Sequence, residues 1–221
     1  MSWKPGRVMK CDKNSMLLYA VTDRAWTSGK TLYMQVEEAL KGGATCIQLR
    51  EKELGDDAFF REAVAIKELC NQYSIPFIVN DNVDIAIACG ADGIHVGQTD
   101  MQADNVRSLI GENMILGISV QTVEQAMLAE QSGADYLGVG AVFSTSTKAD
   151  ADIVSLPVLK EICAAVSIPV VAIGGIYRHN IMKLAGTGID GVALVSAIFA
   201  SPEIEAECRT LLALSKKMVN A

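Results

Sequence analysis

The chain predicts one α/β domain, a (β/α)8 barrel, on three observations. Eight short apolar runs of strand length recur along 221 residues. Segments of helical period lie between them. Half the residues are hydrophobic but only 5% are aromatic, so Ala, Val, Ile and Leu build the core, as in parallel sheets covered by helices.

The strands are expected near 17–22, 45–50, 76–80, 93–96, 115–119, 136–140, 169–173 and 191–195. "LLYAVT" is the first. "TLYMQVEEALKGG" follows, with Leu32, Val36, Ala39 and Leu40 on one helical face. "DDAFFREAVAIKELCNQY" puts Phe59, Ala63, Ile66 and Cys70 on another. "TVEQAMLAEQSG" opens with Thr122 and Gln125 at capping-box spacing. In the last helix Ser201 is the expected N-cap, with Pro202 at the first helical position. A repeat punctuates the series: "GGATCIQLRE", "CGADGIHVGQ", "SGADYLGVGA" and "GTGIDGVALVSA" each carry a glycine, small residues or Asp, then an apolar strand. Each copy reads as a helix end feeding a strand. An open doubly wound sheet is the rival, but it needs fewer strands and usually a longer linker. The barrel domain is assigned to 16–221, and residues 1–15, with Lys4, Arg7, Lys10 and Lys13, to a poorly ordered tail.

A net charge of −7 disfavours nucleic acid and anionic membranes as partners. "MLLYAV" is too short for a signal sequence, and "VALVSAIFA" is too short to span a bilayer. The six cysteines form no C-x-x-C pair and read as buried free thiols in the cytoplasm. With two histidines, neither near a cysteine pair, a zinc site is not expected. "SGKT" at 28–31 lacks the earlier glycine of a P-loop and reads as a loop and helix start. His95 reads as a packed core residue, and His179 as lying on a helix surface. The oligomeric state stays open, a homo-oligomer included.

In a barrel the active site lies where the strands end. Gln48, Arg50 and Lys52 alternate onto one face at the end of the second strand and are expected to point into the mouth. Asn80 and Asp81 end the third strand, Gln98 and Asp100 follow the fourth, and Ser119 ends the fifth. Thr145, Ser146, Thr147 and Lys148 follow the sixth, Gly174 and Gly175 the seventh, and Val195 and Ser196 the eighth. Arg50, Lys52 and Lys148 suit phosphate oxygens. Asp81 and Asp100 are either helix caps or ligands of Mg²⁺, which typically takes one or two carboxylates plus substrate phosphates.

"LYAVTD", "IQLREK", "PFIVNDNVDIAIACGADGIHVGQTD", "ADYLGVGAVFSTSTK", "VVAIGGI" and "DGVALVSAI" resemble, in order, the motifs of the thiamine phosphate synthase family, from residue 17 to about 200. The resemblance implies a TIM barrel that joins an aminopyrimidine diphosphate to a thiazole phosphate, with Mg²⁺. It implies that Gln48, Leu49, Arg50, Glu51 and Lys52 line the pyrimidine diphosphate site with Asn80 and Ser119. Asp81 and Asp100 would hold Mg²⁺. Thr145, Ser146, Thr147, Gly175, Val195 and Ser196 would hold the thiazole phosphate, and Lys148 would reach the diphosphate. Arg50, Lys52, Ser119 and Lys148 are thereby the catalytic set. Ser144 stands where the family commonly has proline. A thiazole tautomerase on a similar barrel and a non-catalytic phosphate-ligand sensor are the rivals.

Overall fold

Eight parallel strands close into a barrel in chain order, the last pairing with the first. The computed structural model describes residues 11–27, 29–97, 103–145 and 153–221. The strands are β1 (Leu18–Val21), β2 (Cys46–Leu49), β3 (Phe77–Asn80), β4 (Gly93–Val96), β5 (Ile115–Val120), β6 (Tyr136–Val139), β7 (Val170–Ile173) and β8 (Gly191–Leu194). Each falls within about a residue of its predicted place. The helices are α1 (Leu32–Lys41), α2 (Asp56–Tyr73), α3 (Val83–Ala88), α4 (Ala103–Ile110), α5 (Val123–Gln131), α6 (Leu156–Ala165), α7 (Ser196–Phe199) and α8 (Ile204–Val219). Between β7 and β8 there is only a 3-10 turn, Ile181–Leu184.

The caps explain where the helices begin. Thr31, Asn82, Thr122 and Ser155 each accept a backbone N–H from the first turn of α1, α3, α5 and α6. Thr31 makes the end of the "SGKT" stretch a helix start, as read from the sequence, with Ser28 outside the described residues. In α5 the Gln125 side chain turns back to the N–H of Gln121, one residue before the expected capping-box partner. Ser201 does not cap α8: the helix starts at Ile204, and Ser201 Oγ accepts from Glu203 N instead. His179 lies on an exposed turn stacked on Tyr177, not on a helix.

Strand residues sort by alternation into two cores. Leu18, Ile47, Leu49, Phe77, Val79, Ile94 and Leu116 face outward and pack under the helices. Tyr19, Val21, Cys46, Ile78, Ile115, Tyr136, Val171 and Ala193 face inward and fill the barrel. Residues 1–10 of the expected tail lie outside the described residues. Residues 11–15 are not a loose tail: Cys11 is buried in the inner core and Lys13 pairs with Asp190 at 2.8 Å. A short apolar anchor therefore plugs the base.

The sequence repeat has a physical cause. Thr45, Asp92, Asp135 and Asp190 immediately precede the even strands. Each donates its own N–H to the carbonyl of a residue at the start of the odd strand before it: Leu18, Phe77, Leu116 and Val170. Each also accepts the N–H of that same residue on its side chain, at 2.8–2.9 Å. The clamp satisfies strand-end amides that would otherwise be buried without partners. The three carboxylates carry cations as well: Lys67 on Asp92, Arg107 on Asp135 and Lys13 on Asp190. Arg107 further donates to the carbonyls of Gly111, Met114 and Gly133, locking the base of β5 and β6.

Asp135→Ala takes the carboxylate from a buried guanidinium and the acceptor from the Leu116 N–H, so it is expected to cost about 3 kcal/mol. Asp92→Ala, at a more exposed pair, is expected to cost about 1 kcal/mol. Urea unfolding of the two variants checks the order.

Candidate active site

The mouth of the barrel is built where β1, β2 and β3 end side by side. Gln48 is on the inner face of β2, but only 5% exposed. Its Nε2 donates to the Tyr19 hydroxyl at 2.8 Å inside the barrel. The expectation of one polar face running from Gln48 to Lys52 therefore needs correcting. The strand stops at Leu49, alternation ends with it, and Arg50 and Lys52 belong to the loop. The Leu49 side chain packs outward under the helices, so only its main chain faces any ligand.

Arg50 is positioned from β1. Thr22 Oγ1 accepts the Arg50 N–H at 3.0 Å, and the Arg50 guanidinium donates to Asp23 Oδ2 at 3.3 Å. Thr22 and Asp23 were not singled out as site residues. The signal was the "VTD" ending of the first strand, the counterpart of the polar endings on the others. Lys52 is exposed at the rim. The Glu51 carboxylate is engaged by Arg24 and within its own loop. Its side chain is 1% exposed and bound by Arg24 at 2.6 Å. Its Oε1 accepts from the backbone amides of Lys52, Glu53 and Leu54. Burial pushes the Glu51 carboxyl up, but Arg24 and the amides of Glu53 and Lys52 pull harder and leave it below its ordinary range. Glu51 thus shapes the loop that carries Lys52.

Asp81 at the tip of β3 has φ 63°, a left-handed conformation uncommon outside glycine. Its N–H is held by the His95 carbonyl at 2.9 Å, and Asn80 Nδ2 donates to its carboxylate at 2.6 Å. The cap of α3 is Asn82, not Asp81. A cleft of about 540 Å³ opens beside them, lined by Glu51, Phe59, Asn80, Asp81, Asn82, Val83, Asp84 and Leu109. An exposed carboxylate among amide oxygens and further carboxylates is a hard-donor site that fits Mg²⁺. Among the described residues no group of three or more His, Cys, Asp or Glu forms a metal cluster. Mg²⁺ needs no such cage when a substrate diphosphate supplies oxygens. Asp100 lies outside the described residues, as do Gln98, Ser146, Thr147 and Lys148.

Across the mouth, Ser119 on β5 is bonded to His95 Nε2 at 2.9 Å. Thr145 is half-buried in the loop after β6. Gly175 has φ 64°, and a Cβ there would meet the Ser144 carbonyl at 2.3 Å, so this loop closes tightly on the one after β6. Asn180 fixes the turn, donating to the Gly175 carbonyl and accepting the Tyr177 N–H. Val195 precedes α7, and Ser196 Oγ bonds the Tyr177 hydroxyl at 2.7 Å. Tyr177 was not anticipated from sequence; nothing in its pattern marked it. Apart from Gln48 inside the barrel, the described site residues stand at the C-terminal ends of the strands. Cationic and carboxylate groups sit at β1–β3, and neutral donors at β5–β8.

The thiamine monophosphate synthase family model matches residues 18–198. The thiamine-phosphate synthase of Clostridium tetani is 50% identical over 194 residues, covering 88% of this chain and 93% of that one. The thiamine-phosphate synthase of Ruminiclostridium cellulolyticum is 50% identical over 195 residues, with the same coverage of 88% and 93%. The solved thiamine phosphate pyrophosphorylase from Pyrococcus furiosus superposes with a TM-score of 0.86 at 38% identity, covering 93% of this chain and 98% of that one.

A carboxyl held below its ordinary value of 4.5 stabilises the folded chain above that pH and stops doing so as pH falls through its lowered value. Glu51→Gln is therefore expected to lower the urea midpoint at pH 7, with the gap to the parent closing as pH drops below 4.5. Asp81→Gly relieves the left-handed backbone and is expected to stay within about 1 kcal/mol of parental stability. Its turnover is expected to fall at least tenfold, the size of about one lost charged contact. Thermal melts beside an activity assay separate these two effects.

Proposed function

The chain belongs to the thiamine monophosphate synthase family, and from that membership we propose how it makes thiamine phosphate. The substrates are 4-amino-2-methyl-5-hydroxymethylpyrimidine diphosphate and 4-methyl-5-(2-hydroxyethyl)thiazole phosphate; the second product is pyrophosphate. The enzyme is a transferase. The observation that carries this reading is 50% identity to a thiamine-phosphate synthase across 88% of the chain.

The aminopyrimidine releases electron density as its exocyclic C–O bond breaks, and the thiazole nitrogen captures the methylene carbon. Arg50, Lys52 and Lys148 neutralise the leaving diphosphate, and Asp23 holds the Arg50 guanidinium in place. Ser119 donates to the same diphosphate, and Gln48 and Asn80 orient the pyrimidine. Thr145, Ser146, Thr147, Gly175, Val195 and Ser196 receive the thiazole phosphate. Asp81 and Asp100 would hold Mg²⁺, which supplies charge neutralisation to the departing group. Orientation and electrostatics, rather than acid–base chemistry, supply the rate.

The setting proposed is the cytoplasm, with small phosphorylated molecules as partners and neither nucleic acid nor membrane. In support, all six cysteines are free. Burial pushes the thiols of Cys11, Cys70, Cys163 and Cys208 up to about 12. Among the described residues no helix is long and apolar enough to cross a membrane.

A pyrophosphate-release assay tests the reading. Release is expected only with both substrates, and to fall when Mg²⁺ is chelated. Conversion of thiazole phosphate without release would identify a tautomerase; binding without turnover, a sensor. Lys148→Ala is expected to slow release more than tenfold, the loss of about one charge-assisted contact in a dry site. Parental turnover in the folded variant removes Lys148 from the reaction.

A further inference from the structure

Five polar side chains form a continuous line through the barrel interior. Gln48 Nε2 lies 2.8 Å from the Tyr19 hydroxyl, which lies 2.7 Å from the Tyr136 hydroxyl. Tyr136 lies 2.9 Å from His95 Nδ1, and His95 Nε2 lies 2.9 Å from Ser119 Oγ. The line joins β2, β1, β6, β4 and β5, and both its ends are residues assigned above to the pyrimidine diphosphate site.

The barrel is shaped around this line. A Cβ on Gly117 would lie 2.1 Å from Tyr136 Cζ, so that position must be glycine for the phenol ring to enter. A Cβ on Gly138 would lie 3.1 Å from His95 Cε1, tight against the imidazole. Tyr19 and Tyr136 are fully buried, and burial drives their phenols well above the ordinary range. Both stay protonated, so each has one proton to give.

Donor arithmetic then sets a direction. Gln48 gives an N–H to Tyr19, so Tyr19 gives its O–H onward. The Cys46 thiol also borders Tyr19 but is a weak partner, so Tyr136 takes that proton. Tyr136 gives its own to His95 Nδ1. A ring nitrogen that accepts carries no hydrogen, so the imidazole proton sits on Nε2 and goes to Ser119 Oγ. The Ser119 hydroxyl hydrogen is then turned away from His95. At the other end, an amide whose NH₂ is committed downward offers its carbonyl toward the mouth.

We propose that this line fixes His95 as the Nε2–H tautomer, makes Ser119 a donor to the leaving diphosphate, and turns the Gln48 carbonyl toward the amino group of the pyrimidine. His95 is a positioning residue acting through Ser119. The assignment of a ligand to each end rests on the function proposed above; the tautomer does not.

The tautomer is read by long-range ¹H–¹⁵N correlation of the uniformly labelled, ligand-free protein near neutral pH. Only two histidines need assigning, and His179→Gln assigns them. The expected pattern for His95 is a protonated Nε2 and a bare Nδ1. A protonated Nδ1 in the parent overturns the proposal. Tyr136→Phe and Tyr19→Phe, each checked for folding by circular dichroism, are expected to mix the tautomers. An unchanged His95 pattern in both overturns the proposal. In the pyrophosphate-release assay, His95→Leu and Ser119→Ala are each expected to lower kcat by about ten- to a hundredfold, the size of one hydrogen bond to a charged group. KM is expected to change far less. His95→Gln, which keeps an N–H near the Nε2 position, is expected to recover part of the loss. The double variant His95→Leu/Ser119→Ala is expected to be no slower than Ser119→Ala alone. Additive losses, or parental turnover in folded Ser119→Ala, overturn the coupling. Absence of pyrophosphate release from the parent sinks the function but leaves the tautomer result standing.

Discussion

The inside of the barrel cannot hold an unpaired polar group. It is closed by Tyr19, Tyr136, Ile78 and Ile115, with Cys11 and Met16 plugging its base. No bulk water is available there, and an unsatisfied hydroxyl or amide costs several times what a satisfied one returns. Gln48, Tyr19, Tyr136 and His95 are nevertheless all inside. They are tolerated because each completes its neighbour's hydrogen bonding, and the same completeness removes their freedom to reorient. A satisfied network specifies one arrangement where a half-satisfied one would be worse than an apolar core. Gly117 and Gly138 belong to this constraint, since they give up side chains so that two rings can meet.

Stability and chemistry occupy opposite ends of the strands. At the base, Asp92, Asp135 and Asp190 spend their carboxylates on backbone amides and nearby cations. At the mouth, Asp23 holds Arg50 as well as the Ala25 amide, and Asp81 accepts from Asn80. The same residue type therefore serves two purposes according to which end it stands at. The helices start at the mouth, so their N-caps Thr31, Asn82 and Thr122 consume the donors that would otherwise crowd the site.

Much of this was legible in the sequence because alternation and helical period are local. The strand positions followed from apolar runs alone. The glycine–Asp repeat marked the right places, though its meaning is a contact between adjacent strands that no local pattern states. His95 read correctly as packed, but a single-strand reading could not see that Tyr19 and Tyr136, far apart in the chain, meet it. Gln48 was placed in the mouth because alternation was carried past the end of β2. A strand of four residues, Cys46–Leu49, keeps Gln48 inside and releases Arg50 and Lys52 to a loop whose course is set by Glu51 and Arg24. Glu51 looked like a ligand from its motif, and only its burial shows that its oxygens are already in use. The tail assigned to residues 1–15 was read from its lysines, yet Cys11 within it is a buried anchor that composition averages away.

The run Asn80–Asp81–Asn82 shows how a site can be kept apart from the fold that carries it. Three short polar residues in a row could each cap a helix. Asn82 takes that task, accepting the Ile85 N–H at 2.9 Å. Asn80 turns toward its neighbour and orients the carboxylate. Asp81 is left with a left-handed backbone that glycine would adopt more easily, and with a side chain that α3 does not need. A left-handed residue that is not the cap of the helix beside it is a place to look for function. Asp81 lines the cleft at this rim, and the function proposed above gives its carboxylate a use there, as one of the groups that would hold Mg²⁺.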